Sequence, residues 1–374
     1  MPDDTCKNTS VFAHTRIDRS GWKRVRLGEV CEISKGEQLN RATLAEKGRV
    51  PVYNGGSSPS GYAEKSNTDA ESVIISEGGN SCGFINFIHV PFWRGGHCYL
   101  LETDLDKSLL YYALKANEPQ IMSLRVGTGL PNIQRERLNA FEFNLPTDIA
   151  EQRQIVSAFT SIDTYISALQ SLIAKYEAIK KATVNLLLTP KNDWRQIYLG
   201  DIGEVLMCKR ILKNQTTETG DVPFYKIGTF GKAPDAFISR AVFNDFKARF
   251  AYPNKGDVLL SAAGTIGRTV VFNGEDAYFQ DSNIVWIDND ERIVTNRFLN
   301  VLYGQMDWQT ENGGTVSRLY NANIQNTKIA VPSLTEQKRI VTILDSIDET
   351  ICGLKAQLAK AQDIKQGMMS YLFG

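Results

Sequence analysis

The sequence predicts a mixed α/β (α+β) fold. Two similar globular domains are separated by two long antiparallel coiled-coil helices, and an internal pseudo-twofold repeat relates the halves. Three observations carry this prediction. Asp148-Ile149-Ala150-Glu151-Gln152-Arg153-Gln154-Ile155-Val156 returns as Ser333-Leu334-Thr335-Glu336-Gln337-Lys338-Arg339-Ile340-Val341, with Glu151 meeting Glu336 at an offset of 185 residues. Each copy opens a run of apolar residues at seven-residue spacing. Each is preceded by a stretch rich in strand-like runs and Gly/Asn/Ser loops.

The repeat begins well before the helices. Trp22, Leu27-Gly28, Val30 and Glu32-Ile33 match Trp194, Leu199-Gly200, Ile202 and Glu204-Val205 at an offset of 172. Pro51-Val52-Tyr53 matches Pro223-Phe224-Tyr225 at that same offset. By Ile75-Ser76 and Leu260-Ser261 the offset has become 185, so the second copy carries 13 extra residues in between. The ends of the copies agree and the middles diverge, as expected of one scaffold bearing two different contact surfaces.

The expected organisation is a flexible polar tail at 1–21, a globular domain at 22–147, a helix at 148–190, a second globular domain at 191–332 and a second helix at 333–374. Asp148 and Ser333 are N-cap residues with a carboxylate, Glu151 or Glu336, three positions on. Pro146 and Pro332 keep the residue before them out of helix, and Pro190 ends the first helix. The seam of the first helix is Ile155, Phe159, Ile162, Ile166, Leu169 and Ile173. That of the second is Ile340, Leu344, Ile347, Ile351, Leu354 and Leu358. Lys180 and Lys365 interrupt the seams at equivalent points, where a stalk would reach a domain or a partner. In the globular parts, strand-like runs cover 25–33, 72–76, 84–89, 258–261, 269–272 and 283–287, with short helices near 109–117 and 296–306.

Net charge is zero for the whole chain and for each globular part, with 14 basic and 14 acidic side chains in 22–147 and 16 of each in 191–332. A general nucleic-acid coat would be basic, so any DNA affinity must come from local patches or from partner subunits. No apolar run reaches the length of a membrane span and no signal-peptide core is present, so a cytoplasmic protein without a membrane partner is expected. The six cysteines form no Cys-x-x-Cys pair, and His97-Cys98 has too few neighbours for zinc; no metal site is expected. No catalytic site is expected either. The chain lacks a Gly-x-x-x-x-Gly-Lys-Ser/Thr loop, a Gly-x-Ser-x-Gly elbow and an Asn/Asp-Pro-Pro-Tyr/Phe tetrapeptide. Glu336-Gln337-Lys338 fits half of a nuclease pattern but reads better as a helix start. Gly264-Thr265-Ile266-Gly267-Arg268 reads as a strand-to-strand turn rather than a phosphate cradle.

One ordered set of elements occurs twice. Gly127-Thr128-Gly129-Leu130-Pro131-Asn132-Ile133 precedes Leu145-Pro146 and Glu151-Gln152-Arg153-Gln154-Ile155-Val156. Gly313-Gly314-Thr315 and Asn321-Ala322-Asn323-Ile324 precede Val331-Pro332 and Glu336-Gln337. With a heptad helix after each, this pattern resembles the specificity subunit of type I restriction-modification enzymes over residues 22–374. The resemblance implies that each globular part is a target-recognition domain reading one half of a bipartite site in double-stranded DNA. It implies helices that set the gap between half-sites and dock two methyltransferase subunits, with restriction (motor/endonuclease) subunits joining them. It implies a non-catalytic chain without cofactors, S-adenosylmethionine, ATP and Mg being held by the partners. The alternatives are a non-DNA coiled-coil scaffold and the recognition subunit of a different methyltransferase assembly.

Base reading uses Arg or Lys for guanine and Asn or Gln for adenine on projecting loops. In the first domain the candidates are Lys35, Gln38, Asn40 and Arg41 after the first strands, then Asn54, Ser57, Asn80 and Arg94. In the second they are Lys209, Arg210 and Lys213, then Lys226, Lys232, Thr265, Arg268, Arg318 and Asn321. Asn132 and Asn323 read as turn or cap residues, and His89 and His97 as structural.

Overall fold

A computed structural model describes residues 19–127, 129, 131–308 and 318–374. The Gly313-Gly314-Thr315 element, Thr128, Leu130 and nearly all of the 1–21 tail lie outside the described residues. The chain divides into two compact units, one reaching to Leu172 and including Leu354–Gly374, the other spanning Ile173–Gly353. The long helices, Ile149–Leu187 and Leu334–Phe373, are therefore shared between the units rather than forming domains of their own.

Among the described residues the first unit contains nine strands. These are β1 (Trp22–Arg26), β2 (Glu32–Lys35), β3 (Val50–Tyr53), β4 (Tyr62–Ala63), β5 (Ser72–Ser76), β6 (Ile85–Ile88), β7 (Trp93–Arg94), β8 (Cys98–Glu102) and β9 (Glu142–Pro146). They form a β1-β9 pair, a sheet in the order β2-β8-β5-β6 and a sheet in the order β4-β3-β7. The second unit repeats the scheme with β10 (Arg195–Tyr198), β11 (Val205–Leu206), β12 (Val222–Tyr225), β13 (Phe237–Ile238), β14 (Val258–Ser261), β15 (Thr269–Val271), β16 (Tyr278–Phe279), β17 (Ile284–Ile287) and β18 (Lys328–Val331). Its sheets are β10-β18, β11-β17-β14-β15 and β13-β12-β16. The same unusual step recurs, since β3 pairs parallel with β7 and β12 parallel with β16 among otherwise antiparallel ladders. Strands β5 and β14 are buried along their whole length, which explains their unbroken apolar runs.

The expected single run over 25–33 is instead two strands with one helical turn, Leu27–Val30, between them. Glu29 accepts from the Arg26 backbone N–H (3.1 Å) and closes that turn. A side chain at Gly28 would meet Asn139 at 2.9 Å, so the turn also needs glycine's small volume.

In each unit one end of each long helix completes the domain core. In the first, Ile155 and Phe159 of one helix and Met369 and Phe373 of the other join Leu109, Leu110, Ile133 and Phe143. The helices run antiparallel there: Asp163 meets Lys365 (2.5 Å) while Tyr165 meets Gln357 (3.2 Å). In the second unit, Val184 of one helix and Ile340, Val341 and Leu344 of the other join Trp194, Leu260 and Phe298. The seam residues Ile155, Phe159, Leu169, Ile173, Ile340, Leu344 and Ile351 are buried, and Ile162, Ile166, Ile347, Leu354 and Leu358 half-buried.

Three local expectations need correction. Glu151 does not return to its helix N-cap; it accepts from the Trp22 indole N–H (2.9 Å), tying the helix start to β1. Glu336 instead holds Arg339 (2.7 and 2.8 Å). These bonds keep its carboxyl at about 2, well below the usual carboxylate range. The capping that remains is made by Asp148, accepting from the Ala150 N–H (3.0 Å), and by Ser333, accepting from the Glu336 N–H (3.3 Å). Finally, Lys180 and Lys365 do not reach outward from the seam. In the second unit Lys180 pairs with Asp348 (2.6 Å), and in the first Lys365 pairs with Asp163 (2.5 Å), so repeat-equivalent lysines hold repeat-equivalent aspartates. At this exposure each pair contributes under about 1 kcal/mol, fixing register more than stability.

Asp257 in the second unit is buried, accepting from the Asn254 N–H (2.7 Å) and the Asn296 amide (3.3 Å). Burial, reinforced by Asp288 and Glu291, raises its pKa. A raised native pKa contributes stability below the unfolded value of about 3.9 and loses it as pH rises through the native one. Asp257→Asn is therefore expected to flatten the decline in second-unit stability as pH rises above about 4, read as the urea midpoint. An unchanged profile would refute this. Among the described residues no helix is long and apolar enough to cross a membrane.

Candidate nucleic-acid interface

In the first unit, the loop leaving β2 and the loop leaving β3 face each other. Asn40 caps a single 3-10 turn, Arg41–Thr43, accepting from the Ala42 N–H (3.0 Å), and so presents Arg41 outward. Asn54 follows β3 and accepts from the His97 N–H (3.3 Å). Gly95 must be glycine here, because a Cβ would sit 2.4 Å from the Asn54 side-chain oxygen. The two loops bound a cleft of about 440 Å³ lined by Gln38, Arg41, Asn54, Gly56, Ser58 and Gly95, with Ser57 exposed at its edge. Gln38 and Arg41 from one loop and Asn54 from the other thus line one cleft. An amide and a guanidinium there are groups suited to adenine and guanine edges.

A second cleft, of about 600 Å³, is lined by Lys35, Glu77, Tyr99, Asn132, Gln134, Arg135 and Glu136. Lys35 is engaged with Glu77, whose carboxylate also accepts from the Tyr99 hydroxyl (3.2 Å) and lies 3.4 Å from His97 Nδ1. Burial and the Glu77 charge push the Tyr99 phenol pKa up. By sheet register, Lys35, Glu77 and Tyr99 correspond to Met207, Ala262 and Val285 in the second unit, so an ionic cluster in one unit is apolar in the other. Sequence reasoning missed Glu77 and Arg135. The available signal was adjacency, since Arg135 lies two residues after the Asn132-Ile133 element and Glu77 precedes a glycine pair. Asn80 is exposed in that glycine turn, and Asn132 pairs with Gly78 and Val126 as a turn residue.

Arg94 does not belong to the open face. It donates to the Ser34 hydroxyl (2.9 Å) and carbonyl (3.4 Å), and its buried Nε has no partner among the described residues. It braces the end of β2, and burial lowers its pKa. Cys98 is likewise internal, its thiol accepting from the Gly55 N–H (3.0 Å) and raised to about 11 by burial.

In the second unit, Lys209, Arg210 and Lys213 are exposed on the loop after β11. Arg210 pairs with Asp281 (2.8 Å), Lys226 with Asp235 (2.8 Å), and Lys213 opens a 3-10 turn. Lys232 and Thr265 are exposed. Arg268 and Arg318 are half-buried and, like Arg94, donate to backbone carbonyls, those of Phe230 (3.0 Å) and Ser282 (2.8 Å). Asn321 is half-buried at the start of the Asn321–Gln325 helix, where Asn323 accepts from the Tyr320 N–H (3.2 Å). The Gly264–Gly267 segment is a turn. Ser261 accepts from the Arg268 N–H (2.9 Å) and donates to the Thr265 carbonyl (2.5 Å), so the loop folds on itself rather than around an anion.

The first-unit cleft carries a prediction. Gln38→Ala and Arg41→Ala are each expected to weaken binding to a cognate duplex by about 1–3 kcal/mol while relaxing the preference at one base pair of one half-site. Competition binding against singly substituted duplexes checks it; a uniform loss at all sequences would mark phosphate contacts instead.

The chain matches the model of the type I restriction modification DNA specificity domain twice, over residues 19–180 and 191–362. It is 36% identical over 382 residues to a type I restriction enzyme specificity subunit of Haemophilus influenzae, covering 98% of this chain and 97% of that one. A crystal structure of the type I restriction-modification S subunit of Mycoplasma genitalium superposes with a TM-score of 0.64 at 20% identity, over 96% of this chain and 98% of that one. A chain from a structure of type I complex assembly and conformational transition follows, with a TM-score of 0.56 at 18% identity and 94% and 98% coverage.

Proposed function

We propose, from the premise that this chain belongs to the type I restriction modification DNA specificity family, that each of its two units reads one half of a bipartite DNA sequence. One observation carries the reading. The family domain matches twice, and each copy coincides with a repeat of the same sheet scheme, while the loops after β2 and β11 differ at most positions, Gln38 and Asn40 of one standing where the other has Arg210 and Leu212. A common scaffold with divergent polar loops is what recognition of two different half-sites requires.

The partners follow from the same premise. Two methyltransferase subunits would bring S-adenosylmethionine, and restriction subunits would bring ATP and Mg, leaving this chain to supply address and spacing. Helices unbroken from Ile149 to Leu187 and from Leu334 to Phe373 suit a spacer of fixed length, because a heptad seam resists bending and slippage where a flexible linker would not.

The test is methylome sequencing of a host expressing the chain with its cognate methyltransferase, against a host lacking the chain. N6-methyladenine at a two-part motif with a constant gap is the expected result. An active methyltransferase that leaves no such motif would overturn the reading.

A further inference from the structure

Most of the extra residues of the second copy fall in one segment. Between β4 and β5 the first unit has residues 64–71, whereas between β13 and β14 the second has 239–257, and this longer segment folds into the helix Arg240–Arg249. Ser239 caps it, accepting from the Val242 N–H (3.3 Å), and Phe243 anchors it in the core beside Tyr278 and Trp286. The two segments differ in charge. Residues 64–71 carry Lys65 against Glu64, Asp69 and Glu71, while 239–257 carry Arg240, Lys247, Arg249 and Lys255 against Asp245 and the buried Asp257.

We propose that this inserted helix is a phosphate-backbone clamp of the second unit, seating the DNA strand beside the bases read by the Lys209–Lys213 loop. Its position supports this. Lys209 Nζ lies 5.3 Å and the Arg249 guanidinium 5.2 Å from the ring centre of Phe250, so the base-reading loop and the helix's C-terminal end flank one aromatic ring. Lys247 sits over Phe243 (5.1 Å) and Tyr252 (4.7 Å). Cations resting on aromatic faces are held in place without losing their charge, and they remain free to donate outward.

The neighbouring acids are Asp245, on Arg249 (3.0 Å), Asp276, between Arg240 and Lys247, and Asp281, on Arg210. Arg249 is 63% exposed, and an exposed ion pair of this kind holds it only weakly, so exchange of a carboxylate for a phosphate is cheap. A chain with no net charge must gather backbone contacts locally. This inference rests on the DNA-reading proposal and adds an asymmetry to it, the second half-site being held with more salt-sensitive affinity than the first.

The test uses the full chain with its cognate methyltransferase, binding labelled duplexes with and without the bipartite target between about 50 and 200 mM salt. The double variant Lys247→Gln/Arg249→Gln is expected to lose about two from the slope of log affinity against log salt. The variant then loses about tenfold less affinity than wild type over that range. It should weaken target and unrelated duplexes alike and leave the methylated motif unchanged. Lys65→Gln, in the shorter segment of the first unit, should leave the slope unaltered.

A wild-type slope in the double variant, with its unfolding curve intact, overturns the clamp. Should the loss of Lys247 from its aromatic seat unfold the unit, Arg249→Gln alone decides, with a slope change of about one expected and none refuting. Failure of the wild-type complex to prefer target over unrelated duplex would instead overturn the DNA-reading proposal beneath it.

Discussion

Phe159→Ala is expected to destabilise the first unit by about 3–5 kcal/mol, a large share of the ~5–15 kcal/mol that holds a typical domain. Phe159 is fully buried although it lies on a long helix whose neighbouring positions face water. Its ring stacks on Tyr112 at 4.4 Å and on Phe373 at 6.3 Å, and the Tyr112 hydroxyl donates to Asp163 (2.8 Å) on the same helix. Truncation leaves a void bounded by aromatic rings that cannot collapse into it, so the cost lies at the cavity-forming end of the range. Hydrogen exchange localises the effect: protection should fall in β5 and β8 and persist in β14 and β17. Phe373→Ala should damage the same strands, since Phe373 is 2% exposed in the same core and also packs on Trp22 at 5.7 Å. A loss below about 1 kcal/mol, or one spread evenly over both units, would show that the helix ends are not part of the domain core.

Gln337→Leu is expected to cost the second unit about 3 kcal/mol or more, despite similar volume and greater apolarity. Gln337 has no exposed surface. Its amide donates to the carbonyls of Ile293 (2.9 Å) and Pro332 (3.0 Å), and its oxygen accepts from the Thr295 N–H (2.9 Å). Leucine would strand the buried Pro332 carbonyl and two part-buried backbone groups, at Ile293 and Thr295, where a buried group left unsatisfied costs about 1–3 kcal/mol. Gln337→Glu separates geometry from apolarity, since it keeps the acceptor for Thr295 but sets a carboxylate against two carbonyls. Chemical unfolding of both variants checks the prediction, and a leucine variant as stable as wild type would refute it. In the first unit Gln152 makes the corresponding bond to the Pro146 carbonyl (2.8 Å) but is only half-buried, so Gln152→Leu should cost less.

The repeated Glu-Gln dipeptide illustrates what sequence could and could not say. Its recurrence is plain, and a helix start is the correct local setting. The division of labour is not plain: the glutamine ties the helix to the end of β9 or β18, while Glu151 holds Trp22 and Glu336 holds Arg339. A cap follows from residues three apart, but a bond between positions 22 and 151 depends on where the chain has gone in between. The same limit governs the candidate interface. Gln38, Arg41 and Asn54 could be nominated by residue type, and folding lines one cleft with them. Arg94, Arg268 and Arg318 are of equally suitable type, yet each is turned onto a backbone oxygen by a neighbouring strand or turn.

By itself the sequence determined the duplication, the two heptad helices and the scaffold shared by the ends of the two copies. These rest on periodicity and self-similarity, which are properties of neighbours along the chain. Only the tertiary structure decided that Met369 and Phe373 complete a core begun at Val25, that Lys180 and Lys365 find aspartates on the opposite helix, and that the inserted residues form a cationic helix beside the Lys209 loop. Burial and pairing of this kind are long-range contacts, and their free energy exists only once distant segments are held side by side.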